Sequence, residues 1–271
     1  MFQLDKKYSV TKKPSIDLFP EEKLFHRKVE KDVKKELLMP VFQTQFTTLP
    51  EILAKPTPTM NQATEEDLYE SNGGTTLTIS VENKIIVASD TRHSSDYTIN
   101  SRKMTKIYKI GNYFLTTVGF YADGFEVYSK LMYEVKNYET YRKISLQALA
   151  HLLHNILYTR RFFPLYTFTC LSGFVNGEAK IYCYDPIGSY QETKCRCDGT
   201  GSKMVQPLLD SWVMGKNFKN YQGLDFQSAL ELVKKAFDAA SERDVKTKDY
   251  LELYVIEDGA VHHEFIDLRK D

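Results

Sequence analysis

The chain changes character at one point, and that break limits where an ordered domain can begin. All 13 glycines lie at Gly73 or beyond, whereas six of the 9 prolines (Pro14, Pro20, Pro40, Pro50, Pro56 and Pro58) lie before it. Residues 1–72 mix short lysine clusters, prolines and isolated apolar residues without a sustained period. Such a stretch cannot offset its ordering entropy by burying apolar surface. It is therefore read as a poorly ordered pro-segment or extension, partly removed, carrying one charged helix over about 21–38. Residues 73–271 are read as the folded domain.

Within that domain Thr75-Thr76-Leu77-Thr78-Ile79-Ser80-Val81 alternates with period two and is rich in β-branched residues, the signature of a strand. Glu82-Asn83 is a turn, and Lys84-Ile85-Ile86-Val87-Ala88 returns as a nearly continuous apolar strand. A second hairpin is expected around Gly111-Asn112. Helices follow over 123–138 and after Ser145, whose Leu146, Leu149, Ala150, Leu153 and Leu157 share one face. Strands are expected over 166–175, 179–185 and 190–197, then a helix over 202–214. Asp225 caps another helix, with Phe226, Ala229, Leu230, Val233, Phe237 and Ala240 on its apolar stripe. Strands 251–256 and 262–266 close the chain around Asp258-Gly259. Consecutive hairpins imply antiparallel sheets. Two sheets face to face with a helix pair on each outer side would bury both helix stripes and the continuous apolar strands.

Composition excludes several classes. The 36 basic side chains balance 36 acidic ones, which argues against a dedicated binder of nucleic acid or anionic membrane. No apolar run approaches a membrane span, and the first residues lack a secretory signal, so a soluble intracellular protein is expected. Four cysteines are too few for a disulfide scaffold and read as ordinary reduced side chains. Cys195 and Cys197 fall on one face of a strand as half-buried packing residues. His151 and His154 sit three apart on a helix without a partner spaced to complete a metal site. His262 and His263 point to opposite faces of a strand. Neither a metal nor a cofactor is expected, and no phosphate-binding glycine motif is present.

One constellation carries chemistry. Asn72-Gly73-Gly74-Thr75-Thr76 opens the first strand, Ala88-Ser89-Asp90-Thr91-Arg92 ends the second, and Lys106 follows. This arrangement resembles the N-terminal nucleophile hydrolases of the proteasome beta type. The resemblance implies a chain cut after a glycine to free a threonine. The threonine's hydroxyl attacks, its own amine is the base, and an aspartate and a lysine orient and polarise the pair. It also implies a four-layer αββα sandwich of the α+β class. The match runs through nearly all of residues 73–271. Tyr158-Thr159-Arg160-Arg161-Phe162-Phe163-Pro164 and Tyr184-Asp185-Pro186-Ile187-Gly188-Ser189-Tyr190 resemble signatures of the family's branch at the sixth beta position. Gln206-Pro207-Leu208-Leu209-Asp210, Ser241-Glu242-Arg243-Asp244 and Leu268-Arg269-Lys270-Asp271 extend that likeness.

The family's spacing also locates its nucleophile. Counting back from Asp90, from Lys106 and from Leu77 by the family's intervals lands each time on Gly74. Glycine has no hydroxyl. Using Thr75 instead requires a one-residue slip, which turns every side chain of the strand to the opposite face. The resemblance therefore implies a non-catalytic subunit. Asp90, Arg92, Lys106, Thr200, Asp244 and Thr247 are then relics of the site, kept as a buried ion-pair and hydrogen-bond network. Lys248 stands where the family often has a glycine. The alternative is a threonine peptidase that uses Thr75 after atypical processing. The partners implied are other beta and alpha subunits in a 28-subunit barrel of stacked seven-membered rings, with assembly chaperones as further candidates. Neither a nucleic acid nor a membrane is implied. Cytoplasm and nucleus are the implied locations.

Overall fold

A computed structural model describes residues 69–270, which fall in one unit spanning Ala63–Asp271. The expected helix over 21–38 and nearly all of the appendage lie outside the described residues.

Strand β1 (Thr75–Val81) turns through Glu82-Asn83 into β2 (Lys84–Asp90). Both turn residues have positive φ, 48° and 58°, the geometry of a two-residue hairpin whose twist matches its strands. A small hairpin of β3 (His93–Ser95) and β4 (Thr98–Ser101) follows, which the sequence pattern did not announce. Strands β5 (Ile107–Ile110) and β6 (Tyr113–Gly119) lead to helices α1 (Tyr121–Glu139) and α2 (Leu146–Tyr158). Next come β7 (Thr167–Val175), β8 (Glu178–Tyr184), β9 (Tyr190–Glu192) and β10 (Cys195–Gly199). Helices α3 (Ser202–Trp212) and α4 (Phe226–Arg243) precede the last hairpin, β11 (Tyr250–Glu257) with β12 (Ala260–Asp267). Ser145 and Asp225 cap α2 and α4 as their sequences require, accepting from the amides of Ala148 and Ser228.

The strands form two antiparallel five-stranded sheets, ordered β10-β1-β2-β11-β12 and β5-β6-β7-β8-β9. Three apolar clusters define the layers. Leu77, Ile79, Ile86, Ala88 and Leu253 pack under Val205, Leu209, Val233 and Phe237 of α3 and α4. Leu115, Leu171 and Tyr184 pack under Leu131, Leu149 and Leu153 of α1 and α2. Between the sheets lie Ile85, Val87, Ile107, Phe114 and Ile256. Strand β2 is thus buried on both faces, which is why its apolar run is continuous while β1 alternates.

Two expectations are corrected. The single strand over 190–197 is two strands in different sheets. The Thr193 amide still donates to Ile181 O of β8, while Lys194 O already accepts from Ser80 N of β1. A period-two pattern records which side a residue faces, not which sheet it joins, so it runs through such a crossing unbroken. The cysteines are not all free, either. Cys170 and Cys183 are register partners on β7 and β8 and are joined as a disulfide. They lie thirteen positions apart in the chain, and the sequence alone carries no trace of their pairing. Cys195 and Cys197 are free, and they are fully buried against α3 and α4 rather than half-buried.

Candidate functional site

The two sheets bring the start of β1, the end of β2 and the start of β5 to one point. Lys106 is 3% exposed there, with its ammonium donating to Asp90 O (2.9 Å), Asp90 Oδ1 (3.1 Å) and Arg92 O (2.9 Å). Asp90 is fully buried and also accepts from the amides of Thr75 (2.7 Å, at Oδ1) and Arg92 (3.0 Å, at Oδ2). Burial pushes the Asp90 carboxyl up, against the pull of the Lys106 charge and of these donors. The Arg92 side chain turns away to Asp249, with Nε to Oδ2 at 2.7 Å and Nη2 to Oδ1 at 3.1 Å. Arg102 Nη1 reaches the same Oδ1 at 2.5 Å. Burial acts to raise the Asp249 carboxyl, but the hydrogen bonds from Arg92 and Arg102 outweigh it and hold the group below the usual carboxylate range.

Gly74 sits against this charged pair. Its φ is +88°, a backbone region that side-chain-bearing residues rarely adopt. A β-carbon built on it would lie 2.7 Å from both Lys106 Nζ and Asp90 Oδ1. Its carbonyl accepts from the Thr200 amide at 2.9 Å. The position picked out by the spacing therefore faces the lysine and the aspartate, and it carries only hydrogen.

Thr75 faces the other way. It shares the α3/α4 side of β1 with Leu77 and Ile79, and its Oγ1 lies 2.6 Å from Thr247 Oγ1. The same oxygen accepts from the Gly201 amide at 3.0 Å. Thr247 Oγ1 donates onward to Asp244 Oδ2 (2.6 Å), and the Thr200 hydroxyl reaches that oxygen at 2.5 Å. With the Thr247 proton committed to Asp244, Thr75 donates to Thr247. The chain of hydroxyls leads its proton away from Lys106.

The segment upstream of Gly74 is held on both sides. Asn72 is buried, its amide donates to Gly119 O (3.0 Å), and its Nδ2 donates to Ser94 O (3.1 Å). Its Oδ1 accepts from the Tyr121 amide (2.8 Å), capping the first turn of α1. Ser71 O accepts from Lys246 Nζ (2.7 Å), and the Tyr69 ring stacks on Phe163 at 5.7 Å. A cavity of about 440 Å³ lined by Gly73, Val118, Gly119, Phe168 and Gly199 opens beside this segment. A larger cavity of about 1060 Å³ lies at the other end of β1, beside Glu82 and Asn83.

The fold thus gathers every residue singled out in the sequence, but as two clusters: Gly74, Asp90, Arg92 and Lys106 in one, Thr75, Thr200, Asp244 and Thr247 in the other. Sequence reasoning passed over Asp249 and Arg102, and it named Asn72 and the loop around Gly201 without assigning either residue a role. Three of them act through backbone position or a long-range ion pair, which leave no local motif. The Asn72 side chain is the exception, because an asparagine before a Gly-Gly pair is a turn signal that invites a search for its partners. Elsewhere, His154 Nδ1 meets Gly188 O at 2.8 Å and His151 Nδ1 lies 3.3 Å from Tyr190 OH. His263 stacks on Tyr254 and lies 3.2 Å from Glu252 Oε1. Among the described residues no group of three His, Cys, Asp or Glu side chains is placed to hold a metal ion.

Two face-to-face antiparallel sheets between helix pairs, with β1 opening onto a buried lysine and aspartate, define an N-terminal nucleophile hydrolase type of domain. The chain belongs to the proteasome subunit family, whose model matches residues 70–256. It is 49% identical over 207 residues to a probable proteasome subunit beta type-6 of Encephalitozoon cuniculi, covering 76% of this chain and 71% of that protein. It is 39% identical over 212 residues to proteasome subunit beta type-1-B of Carassius auratus, covering 75% and 88%. Identity to proteasome subunit beta type-6 of Saccharomyces cerevisiae is 34% over 221 residues, covering 75% and 90%.

Proposed function

We propose that this chain is the non-catalytic beta subunit at the sixth position of the 20S proteasome ring, in the cytoplasm and nucleus. Its work is structural. It completes the ring, walls off the proteolytic chamber used in ubiquitin-dependent and other protein degradation, and contacts beta and alpha neighbours in a 28-subunit barrel. The observation that carries this reading is Gly74: the direction aimed at Lys106 and Asp90 bears no oxygen. Nucleophilic catalysis needs a hydroxyl beside its base and its orienting groups. The use of Thr75 is disfavoured because its hydroxyl is fully buried and engaged with Thr247 and Gly201 on the opposite side.

The exposed signature around Phe162 (96% exposed) and Phe163 (53%) suits a neighbour-facing surface, since aromatic and arginine side chains are enriched at interface cores. Residues 1–72 serve as a pro-segment trimmed near Glu65, and the hydrogen bonds of Asn72 hold the last residue before Gly73 in place. One preparation tests these points. Particles isolated through a tag on this chain are treated with a threonine-directed electrophile, and intact masses are recorded. The expected chain lies below its full 31.4 kDa and bears no adduct, while neighbouring subunits are labelled. An adduct on Thr75 would sink the non-catalytic reading, and a full-length mass would sink the trimming.

A further inference from the structure

The two cysteines of the β7–β8 pair have a setting that a passive staple does not require. Cys170 and Cys183 face each other across the ladder with Cα atoms 4.1 Å apart, in a small cluster with Ile181. The two strands are already paired along seven register positions, from Thr169↔Tyr184 to Val175↔Glu178. The ladder therefore keeps the two sulfurs opposed in the folded chain whether or not the bond is closed, while closing the bond also constrains the unfolded chain.

The surroundings serve the thiol form as well as the disulfide. Cys170 Sγ lies 3.4 Å from Asp198 Oδ2, a distance at which a thiol donates to the carboxylate. The other oxygen of Asp198 is ion-paired with Arg196 Nε at 2.8 Å. Cys183 lines a cavity of about 210 Å³ together with Ser189, Tyr190, Gln191 and Arg196. That space gives a small oxidant a way to Cys183, and the Arg196 that pairs with Asp198 lines the same cavity.

We propose that Cys170 and Cys183 form a reversible thiol–disulfide pair, with Cys183 the peroxide-reactive thiol and Cys170 the resolving thiol held by Asp198. In the first step the Cys183 thiolate attacks one oxygen of hydrogen peroxide. The O–O bond breaks, a sulfenic acid forms, and the departing hydroxide takes the thiol's proton to leave as water. In the second step Cys170 gives its proton to Asp198 Oδ2 and attacks the sulfenic sulfur. The S–S bond forms, and a second water leaves with that proton. Overall two thiols lose two hydrogens and one peroxide becomes two waters. Oxidation takes the thiol donor from Asp198, the residue before Gly199 and Thr200. Since the Thr200 amide holds Gly74 O, the pair is tied to the strand that carries the candidate site.

The test uses the full-length chain, kept reduced during purification and then exposed to hydrogen peroxide. Remaining thiols are alkylated before and after treatment, and peptides are mapped by mass. The expected result is a cross-linked pair of peptides carrying Cys170 and Cys183, lighter by two hydrogens and restored by dithiothreitol under native conditions. Cys195 and Cys197 stay alkylatable. Cys170→Ser should trap a sulfenic acid on Cys183 that a dimedone probe labels, and Asp198→Asn should slow cross-linking several-fold. Cys170 and Cys183 thiols that both stay alkylatable after peroxide overturn the proposal. So does a cross-link that native dithiothreitol does not open, or a Cys170→Ser protein without the dimedone label.

Discussion

The two clusters at the start of β1 differ by one residue of register and by nearly everything else. On the Gly74 side are a buried lysine, a buried aspartate and an arginine, the charges that a hydroxyl nucleophile needs, without a hydroxyl. On the Thr75 side are three threonine hydroxyls and one aspartate. A strand alternates its side chains, so adjacent residues cannot serve the same face. Proximity in sequence to a charged site is therefore a poor guide to taking part in it. The two clusters also differ in what holds them. The first stands on ion pairs out of water, where losing one partner leaves an uncompensated charge. The second stands on hydroxyl and amide hydrogen bonds, two of them accepted by the Asp244 carboxyl, rather than on ion pairs.

That contrast can be broken in order of expected effect. Lys106→Met should cost about 4 kcal/mol at neutral pH, because it strands the fully buried Asp90. Burial already raises Asp90, and losing the lysine raises it further. The penalty should therefore be absent below the ordinary value of 3.8 and grow as pH rises through the folded value. Urea titrations at several pH values check both. A deficit independent of pH would mean that lost packing, not the charge, sets the cost.

Asp249→Asn should cost about 3 kcal/mol by leaving the buried Arg92 without its carboxylate. The sign of its pH dependence is opposite. The Asp249 carboxyl is held low, so its contribution is present above 3.8 and is lost as pH falls through the depressed folded value. The wild type should lose stability along that acid limb, and Asp249→Asn should not.

Thr75→Val should cost about 1–2 kcal/mol, the loss of one hydroxyl with the Gly201 amide and Thr247 hydroxyl left to find other partners. It should leave particle assembly and the neighbours' peptidase rates unchanged. The joint change Phe162→Ala and Phe163→Ala should move folding by less than about 1 kcal/mol, since both side chains are exposed. It should nonetheless lower incorporation into barrels on native gels, and equal incorporation would remove these residues from the interface.

Much of this architecture was legible beforehand. The alternation from Thr75 to Val81 told which face was buried, and the stripes beginning at Leu146 and Phe226 told which faces the helices would present. Those features are local: they depend on period and on burial, and both are written residue by residue. The Thr193–Lys194 crossing was not legible, because neighbouring residues there pair with different sheets without any change of period. The Cys170–Cys183 pairing was hidden for the same reason, since register between strands is set by the ladder and not by either strand alone. In the site, the residues Asp90, Lys106, Thr200, Asp244 and Thr247 were readable through the resemblance of their motifs to the family's. Their division into two groups, and the roles of Asp249 and Asn72, were not.

By itself the sequence determined the break at Gly73, the order of the longer strands and the helices, and the hydrogen in place of a side chain at residue 74. These follow from composition, periodicity and residue identity, which need no third dimension. Only the tertiary structure decided that the vacant direction at Gly74 points at Lys106 and Asp90, while Thr75 is bound into the hydroxyl cluster of Thr247 and Asp244. Direction depends on how β1 is clamped between β2 and β10, and that clamping is a property of long-range pairing.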